Sequence, residues 1–284
     1  MSYVVTATTG HLGRLIVESL LARGVASQSI VATARNAAKL TDIGGAGVRT
    51  AVLDYTKPET VTAAIEPGDV LVLVSGSELG QRVEQHSAVI TAAKDAGVAR
   101  IVYTSAPAAT TSDLVLAPEH KATEEFLVAS GVPFTILRNG WYSENYLGEI
   151  DKARESGEIV ASVGSGTVAS ASRADYAEAA AAAMLDDSLA GQTIELTGDH
   201  AWSFDELAST IGTLLGRDVA FRNLTAEEHL EMLKGFGLDD GTAGFVVALD
   251  GNIRDGLLGG TEGELSRLIG HPTTPLAETL AAAL

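Results

Sequence analysis

Tyr3-Val4-Val5-Thr6-Ala7-Thr8-Thr9-Gly10-His11-Leu12-Gly13 decides the fold. A short apolar run of strand type ends in a turn with two glycines, and a helix pattern begins inside that turn. Leu12, Leu15, Ile16 and Leu20 fall on one helical stripe. Strand, glycine turn and helix in that order form the setting in which a glycine fingerprint reads as a dinucleotide site. Gly10 lets the backbone approach a pyrophosphate, Gly13 lets the helix close on the strand, and the helix's first N–H groups face the phosphates. Ala7, Thr8, Thr9, Gly10, His11, Leu12 and Gly13 are therefore candidate cofactor-binding residues. Ala7 stands where the first of the usual three glycines belongs. An alanine there calls for a turn without positive φ, and hence a slightly altered loop. An ordinary strand–helix turn is the alternative.

Outward from this stretch the rhythm repeats. Ile30–Thr33, Val48–Leu53, Val70–Val74, Arg100–Thr104 and Pro133–Leu137 are short and apolar almost throughout, as strands covered on both faces are. Helical stretches separate them at Leu12–Arg23, Ala37–Leu40, Pro58–Ile65, Gln81–Ala96 and Glu119–Ser130. Repeated strand–helix units imply right-handed crossovers and an α/β fold with a doubly wound parallel Rossmann sheet. Past residue 140 the pattern loosens. Helices are expected at Arg173–Leu185, Phe204–Leu215 and Ala226–Lys234, with Ser203 and Glu206 as a capping box, and short strands near Ile159–Val163, Thr193–Leu196 and Val219–Arg222. The expected division is a Rossmann domain over 1–140 and a smaller C-terminal α/β portion over 141–284 that covers the substrate, with the chain free to cross back.

Arg35 ends the second strand, about 20 residues past the glycines, where an NAD site usually carries an acidic residue for the ribose 2′-OH. A guanidinium suits a 2′-phosphate instead, so the cofactor read from the residues is NADPH. A solvated arginine at a strand end is the bland alternative. Asp54-Tyr55 and Ser75-Gly76-Ser77 end the third and fourth strands, where an open sheet holds its ligand. Asp54 is a candidate for the adenine amine and the Ser75–Ser77 backbone for the ribose; each, taken alone, is as readily a plain turn.

Absences narrow the chemistry. None of the six tyrosines has a lysine four residues on, so the usual short-chain dehydrogenase acid/base pair is missing; Tyr103 has Pro107 at that spacing. There is no G-x-S-x-G elbow, no Gly-Lys pair of a P-loop, and no cysteine. The six histidines are scattered, so no metal site is expected. The 284 residues are 46% hydrophobic and 20% charged, with a net charge of −18. That field repels nucleic acid, and it repels NADPH too, so attraction for the cofactor has to be local. No apolar run reaches the ~18 residues of a membrane span and no signal peptide is visible. A cytoplasmic location is expected, with a homo-oligomer left open.

Further stretches resemble the NAD(P)H:quinone oxidoreductase branch of the NmrA-like family, among the atypical short-chain dehydrogenases. They are Ser77-Glu78-Leu79-Gly80-Gln81-Arg82, Gln85-His86, Tyr103-Thr104-Ser105, Glu119-His120 and above all Leu137-Arg138-Asn139-Gly140-Trp141-Tyr142-Ser143-Glu144-Asn145-Tyr146. Ser172-Arg173-Ala174-Asp175-Tyr176, Ala201-Trp202-Ser203-Phe204 and Leu268-Ile269-Gly270-His271-Pro272-Thr273-Thr274 extend the likeness over essentially the whole chain. The resemblance implies NADPH along the glycine loop with Arg35 at its 2′-phosphate. It implies that Ser75–Ser77, Asn139, Gly140, Trp141, Tyr142 and Arg173 approach the cofactor, and that a hydride passes to a small quinone. His120 is the candidate proton donor or oxygen ligand, because related phenylpropanoid reductases carry a catalytic lysine at the matching place; a capping or partner-satisfied histidine is the alternative. Tyr142 and Asn145 are candidates for the acceptor pocket, with Trp141 read more readily as core and His86 as structural. An NADP(H)-binding redox sensor without turnover, and a reductase of another conjugated acceptor such as a dye or enone, stand as alternative functions.

Overall fold

A computed structural model describes residues 1–78 and 80–284. The chain forms two compact units. The first gathers Met1–Thr110, Pro118–Asn139 and Arg173–Leu196; the second gathers Thr111–Ala117, Gly140–Ser172 and Thr197–Leu284.

In chain order, the first unit contains β1 (Tyr3–Val5), α1 (His11–Ala22), β2 (Ile30–Ala34), α2 (Thr41–Gly45), β3 (Arg49–Val52), α3 (Pro58–Ala64), β4 (Val70–Leu73), α4 (Arg82–Ala96), β5 (Arg100–Ser105), α5 (Ala117–Ser130) and β6 (Phe134–Asn139). The chain then enters the second unit with α6 (Leu147–Ser156), β7 (Glu158–Ala161) and β8 (Thr167–Val168), and returns to the first with α7 (Arg173–Leu185) and β9 (Thr193–Leu196). The second unit is completed by β10 (Trp202–Ser203), α8 (Phe204–Leu215), β11 (Ala220–Asn223), α9 (Ala226–Gly235), α10 (Asp240–Arg254), α11 (Glu264–Ile269) and α12 (Leu276–Ala281).

The first unit is built on a seven-stranded sheet of order β3-β2-β1-β4-β5-β6-β9, parallel throughout. Tyr3 pairs with Ile30 on one side and Val70 on the other, so the strand order reverses at β1. A crevice opens at such a reversal, outside the carboxyl ends of the strands. β2, β4 and β5 are buried along their whole length; β2 and β4 are accordingly apolar almost throughout, while β5 also buries Arg100, Thr104 and Ser105, each of them hydrogen-bonded. On one face Val4, Leu71, Leu73, Ile101 and Ile136 pack with Val61 of α3, Val89 and Ile90 of α4 and Leu127 of α5. On the other, α1 packs against α7, whose Ala177, Ala179, Ala180 and Ala181 are buried and keep that side thin.

One strand departs from the sequence reading. Thr193–Leu196 lies in the main sheet beside β6, with Leu196 opposite Asn139, and not in the smaller portion. It is an edge strand whose Thr193 is exposed and whose Ile194 and Glu195 are half-buried, so it lacks the apolar run of the inner strands.

The second unit holds a parallel pair, β11 and β7, and an antiparallel pair, β10 and β8. Its core includes a ring cluster in which Tyr146 meets Trp202 edge-on at 4.8 Å and Phe204 at 5.8 Å, with Phe221 beyond at 5.4 Å from Phe204. Ser203 and Glu206 form the expected capping box of α8. Among the described residues no helix is long and apolar enough to cross a membrane.

Candidate active site

The glycine turn sits at the carboxyl end of β1. Thr8 is buried and bound to β2 twice, its N–H and its hydroxyl both donating to the Thr33 carbonyl at 2.9 and 2.5 Å. Thr9, Gly10 and His11 are exposed, Leu12 and Gly13 buried. A Cβ on Gly13 would lie 2.6 Å from the Ala7 carbonyl oxygen and 2.8 Å from that of Thr6, so only glycine lets α1 come this close to β1. α1 has no side-chain cap and no acidic residue in its first turn, leaving its N-terminal N–H groups to an incoming anion. The expectation for Ala7 needs correcting: its φ is +52°, so the turn keeps the left-handed geometry of a glycine and the alanine bears the strain.

Arg35 follows β2 directly and is 74% exposed, with Nη1 3.1 Å from Oε1 of Glu78. Asp54 follows β3. Its Oδ1 accepts the Thr56 N–H at 3.0 Å and the Thr56 hydroxyl at 2.8 Å, and Lys57 lies 3.7 Å from Oδ2. Partial burial works against ionisation, but the Thr56 bonds, with Lys57 and Arg35 behind them, hold its carboxyl below the ordinary value. Tyr55 turns its hydroxyl into the sheet, 2.6 Å from Thr6 Oγ1 and donating to the Val74 carbonyl at 2.8 Å, so it ties the ends of β1 and β4 together.

Ser75, Gly76 and Ser77 leave β4 in a loop held from α4 and α5. The Gly76 N–H donates to Nε2 of His86 at 3.1 Å. The bonding therefore assigns the imidazole proton to Nδ1, which donates to Thr123 Oγ1 at 3.2 Å, and Thr123 in turn donates to the Glu119 carbonyl at 2.9 Å. Burial, with Arg82 nearby, pushes the His86 imidazole down to about 3 and keeps it neutral. The Gly76 carbonyl accepts from Arg82 Nε at 2.8 Å, Arg82 Nη1 meets Glu119 Oε2 at 2.8 Å, and Glu119 Oε1 accepts the Gly80 N–H at 2.9 Å. Ser75 is fixed to β5 by its N–H on Thr104 Oγ1 at 2.9 Å. Leu79 of this motif lies outside the described residues.

Behind the loop, Tyr103 on β5 and His120 on α5 meet at 2.8 Å between the phenol oxygen and Nδ1. Tyr103 is wholly buried and His120 is 5% exposed. Burial pushes the Tyr103 phenol far above its ordinary value, and pushes the His120 imidazole, beside Arg82 and His86, down to about 3. Both partners are neutral around pH 7. The His86 ring stands edge-on to Tyr103 with centroids 5.4 Å apart, which makes one buried aromatic row from His86 to His120.

The conspicuous run from Arg138 begins on a structural residue. Arg138 grips Glu124 with two bonds, Nε to Oε1 at 3.0 Å and Nη2 to Oε2 at 2.7 Å, and donates from Nη1 to Glu195 at 2.9 Å. This clamp joins α5, β6 and β9. Asn139 ends β6 and is buried; Arg173 opens α7 and is half-buried. Gly140, Trp141, Tyr142 and Asn145 belong to the second unit. There Trp141 and Tyr142 are half-buried and Asn145 exposed, and Tyr142 forms a parallel bridge with Ala171. Among the described residues no group of three or more His, Asp or Glu could hold a metal ion.

Sequence reasoning left Tyr103, Glu78, Arg82 and Glu119 without roles. A search for lysine four residues after a tyrosine cannot find a partner 17 residues on, at the next helix. The family motif held Glu78 and Arg82 in plain view, but their partners emerge only when the loop folds over α4.

An NAD(P)H-binding family model matches residues 8–187. The chain belongs to that NAD(P)H-binding, NmrA-like family. It is 44% identical to quinone oxidoreductase 2 of Escherichia coli (strain K12) over 277 residues, 98% of this chain and 96% of that one. Its backbone matches the crystal structure of an NADPH-dependent quinone oxidoreductase complexed with NADPH from Escherichia coli with a TM-score of 0.94, at 42% identity and 99% coverage of both chains. The triphenylmethane reductase of Citrobacter sp., complexed with NADP(H), matches with a TM-score of 0.93 at 34% identity and 100% coverage of both. Arg35, His86, Tyr103 and His120 all lie within the stretch that the family model covers.

Proposed function

We propose that the protein is an NADPH-dependent oxidoreductase that transfers a hydride to a small quinone. The observation that carries this is the near-full-length likeness, in sequence and in backbone, to a quinone oxidoreductase solved with NADPH. The residues present fit that cofactor. An uncapped helix N-terminus receives the pyrophosphate, Gly13 keeps α1 against β1, and the exposed guanidinium of Arg35 takes the 2′-phosphate. Ser75–Ser77, Asn139, Gly140, Trp141, Tyr142 and Arg173 are assigned to the cofactor, and Tyr142 and Asn145 to the acceptor, on the family resemblance.

Bound NADPH supplies the hydride. The chain has to orient the acceptor and steady the charge that appears on its oxygen. A quinone asks for little acid catalysis, because its reduction makes an aromatic ring, so positioning carries most of the rate. His120 serves as a neutral hydrogen-bond donor. That role requires the tautomer in which Nδ1 accepts from the Tyr103 phenol and the proton resides on Nε2; an imidazole pushed down to about 3 cannot act as a standing imidazolium. His86 and Arg82 hold the Gly76 backbone in place, and Glu119 holds that of Gly80.

The test is direct: mix protein, NADPH and a benzoquinone and follow loss of the reduced nicotinamide. Turnover well above the uncatalysed rate is expected. Bound cofactor with no turnover rejects the enzyme reading and leaves a nucleotide-redox sensor. A panel including triphenylmethane dyes separates quinones from other conjugated acceptors, a comparison prompted by the Citrobacter relative.

A further inference from the structure

We propose that Glu78 sets how tightly the protein holds NADPH: its carboxylate is a built-in competitor for the Arg35 guanidinium, displaced when the 2′-phosphate arrives. This rests on the cofactor reading above. Arg35 Nη1 lies 3.1 Å from Glu78 Oε1, and the two side chains are 74% and 43% exposed. The same carboxylate is anchored independently, its Oε2 accepting from Gln85 Nε2 on α4 at 2.8 Å. Gln85 is itself buried, so Glu78 has a fixed place to stay after the guanidinium leaves.

Arg35 also faces a second carboxylate, that of Asp54, whose ionisation it favours. Asp54 is committed to Thr56 and has Lys57 beside it. Glu78 has Arg35 as its cation, so of the two carboxylates it is the one that loses its counter-ion when a doubly charged phosphate enters. The protein then contains a phosphate and a carboxylate competing for one guanidinium. An exposed pair of this kind is held weakly and exchanges readily, while the phosphate brings more charge and more acceptor oxygens and wins the exchange. NADH carries nothing that disturbs the pair. Glu78 therefore lowers affinity for the phosphorylated cofactor alone and moderates the preference that Arg35 creates.

The experiment is equilibrium titration of the full chain with NADPH and with NADH, comparing wild type, Glu78→Gln, Arg35→Gln and the double variant. Glutamine keeps the shape and the bond to Gln85 while removing the charge. Glu78→Gln is expected to tighten NADPH about two- to fivefold, to change NADH less than about twofold, and to have no effect once Arg35 is glutamine. Weaker NADPH binding by Glu78→Gln, showing that the pair instead pre-orients Arg35, overturns the proposal. So does an equal gain for NADH, or a gain that persists without Arg35. A wild type that takes up no NADPH overturns the cofactor reading and this proposal with it; NADPH uptake that Glu78→Gln weakens overturns the proposal alone.

Discussion

The Gly76 backbone N–H donates to His86 Nε2 at 3.1 Å, and this bond decides how the loop after β4 is held. A side chain on α4 supplies an acceptor to a backbone group that no strand reaches. His86→Leu leaves the Gly76 N–H without its acceptor and removes the Nδ1 donor from Thr123, whose hydroxyl keeps its bond to the Glu119 carbonyl. A loss of roughly 2 kcal/mol in urea unfolding is expected, together with weaker NADPH binding. His86→Gln can return an acceptor near the position of Nε2 and should recover most of both. Equal damage from the two substitutions would show that ring packing against Tyr103, and not the hydrogen bond, is what matters.

The neutral histidines give stability a pH dependence. His86 and His120 are each pushed down to about 3 in the native protein, whereas an unfolded histidine titrates near 6.5. Between those values the unfolded chain binds protons that the native chain refuses. Stability is therefore full above pH ~6.5 and falls as the pH drops toward ~3, by up to about 1.4 kcal/mol per pH unit for each imidazole. Carboxylates held below their ordinary values, such as Asp54 and Glu206, lose their contribution only when the pH falls through the carboxylate range. Denaturant midpoints at about pH 7 and about pH 5 are expected to differ clearly, with a smaller difference in His86→Gln. Identical midpoints would contradict neutral burial of both rings.

Ala7 and Gly13 have opposite requirements in one turn. With φ at +52°, Ala7 sits where glycine is favoured, so Ala7→Gly should stabilise by roughly 0.5–1 kcal/mol after allowing for the added freedom of the unfolded chain. At this chain length that raises the melting temperature by about 1–2 °C. Gly13→Ala would press a methyl to 2.6 Å from the Ala7 carbonyl oxygen, which forces α1 outward. It is expected to cost about 1–3 kcal/mol and to weaken NADPH more than it weakens folding. Calorimetry and cofactor titration on the two variants check both signs.

These cases show what was legible in the sequence. The inner strands of the main sheet were readable because parallel strands covered on both faces leave largely apolar runs, whereas β3, an edge strand with Arg49, Thr50 and Val52 exposed, was readable from the buried Val48 and Leu53 that flank it. β9 was misplaced because an edge strand carries exposed Thr193 and a clamp residue, Glu195, where an inner strand has only apolar ones. α10 went unread because Gly241, Gly244 and Gly251 interrupt its pattern, although Asp239 caps its first turn. Ala7 was misjudged because a sequence rule favours glycine at positive φ but does not forbid alanine from bearing the strain. Glu78, Arg82 and Glu119 escaped because a latch between a loop and two helices has no period and no fixed spacing.

Arg138 is the first charged residue of the most family-specific run, yet its bonds point to architecture. Glu124, its bidentate partner, is buried and also accepts from the Ser105 hydroxyl at 2.5 Å. Arg138→Met strands that carboxylate, at an expected cost of about 3 kcal/mol. Molecules that remain folded should bind NADPH within about twofold of wild type. A large affinity loss with unchanged stability would move Arg138 into the binding machinery.

The Tyr103–His120 pair separates two kinds of hydrogen-bond catalysis. If His120 donates from a neutral ring, its contribution to quinone reduction does not depend on imidazole titration. kcat/KM should then show no step of the histidine type between about pH 5.5 and about pH 8. His120→Leu removes the donor and is expected to lower kcat about tenfold, the value of one ordinary hydrogen bond made to developing charge. Tyr103→Phe leaves the ring present but frees its tautomer, so a smaller fall is expected, with KM for NADPH unchanged. An acid limb near pH 6 to 7 in wild type that disappears in His120→Gln would mean that the imidazolium is the working form. The buried row from His86 to His120 would then have to open during turnover, because in the closed protein neither ring holds a second proton near neutrality.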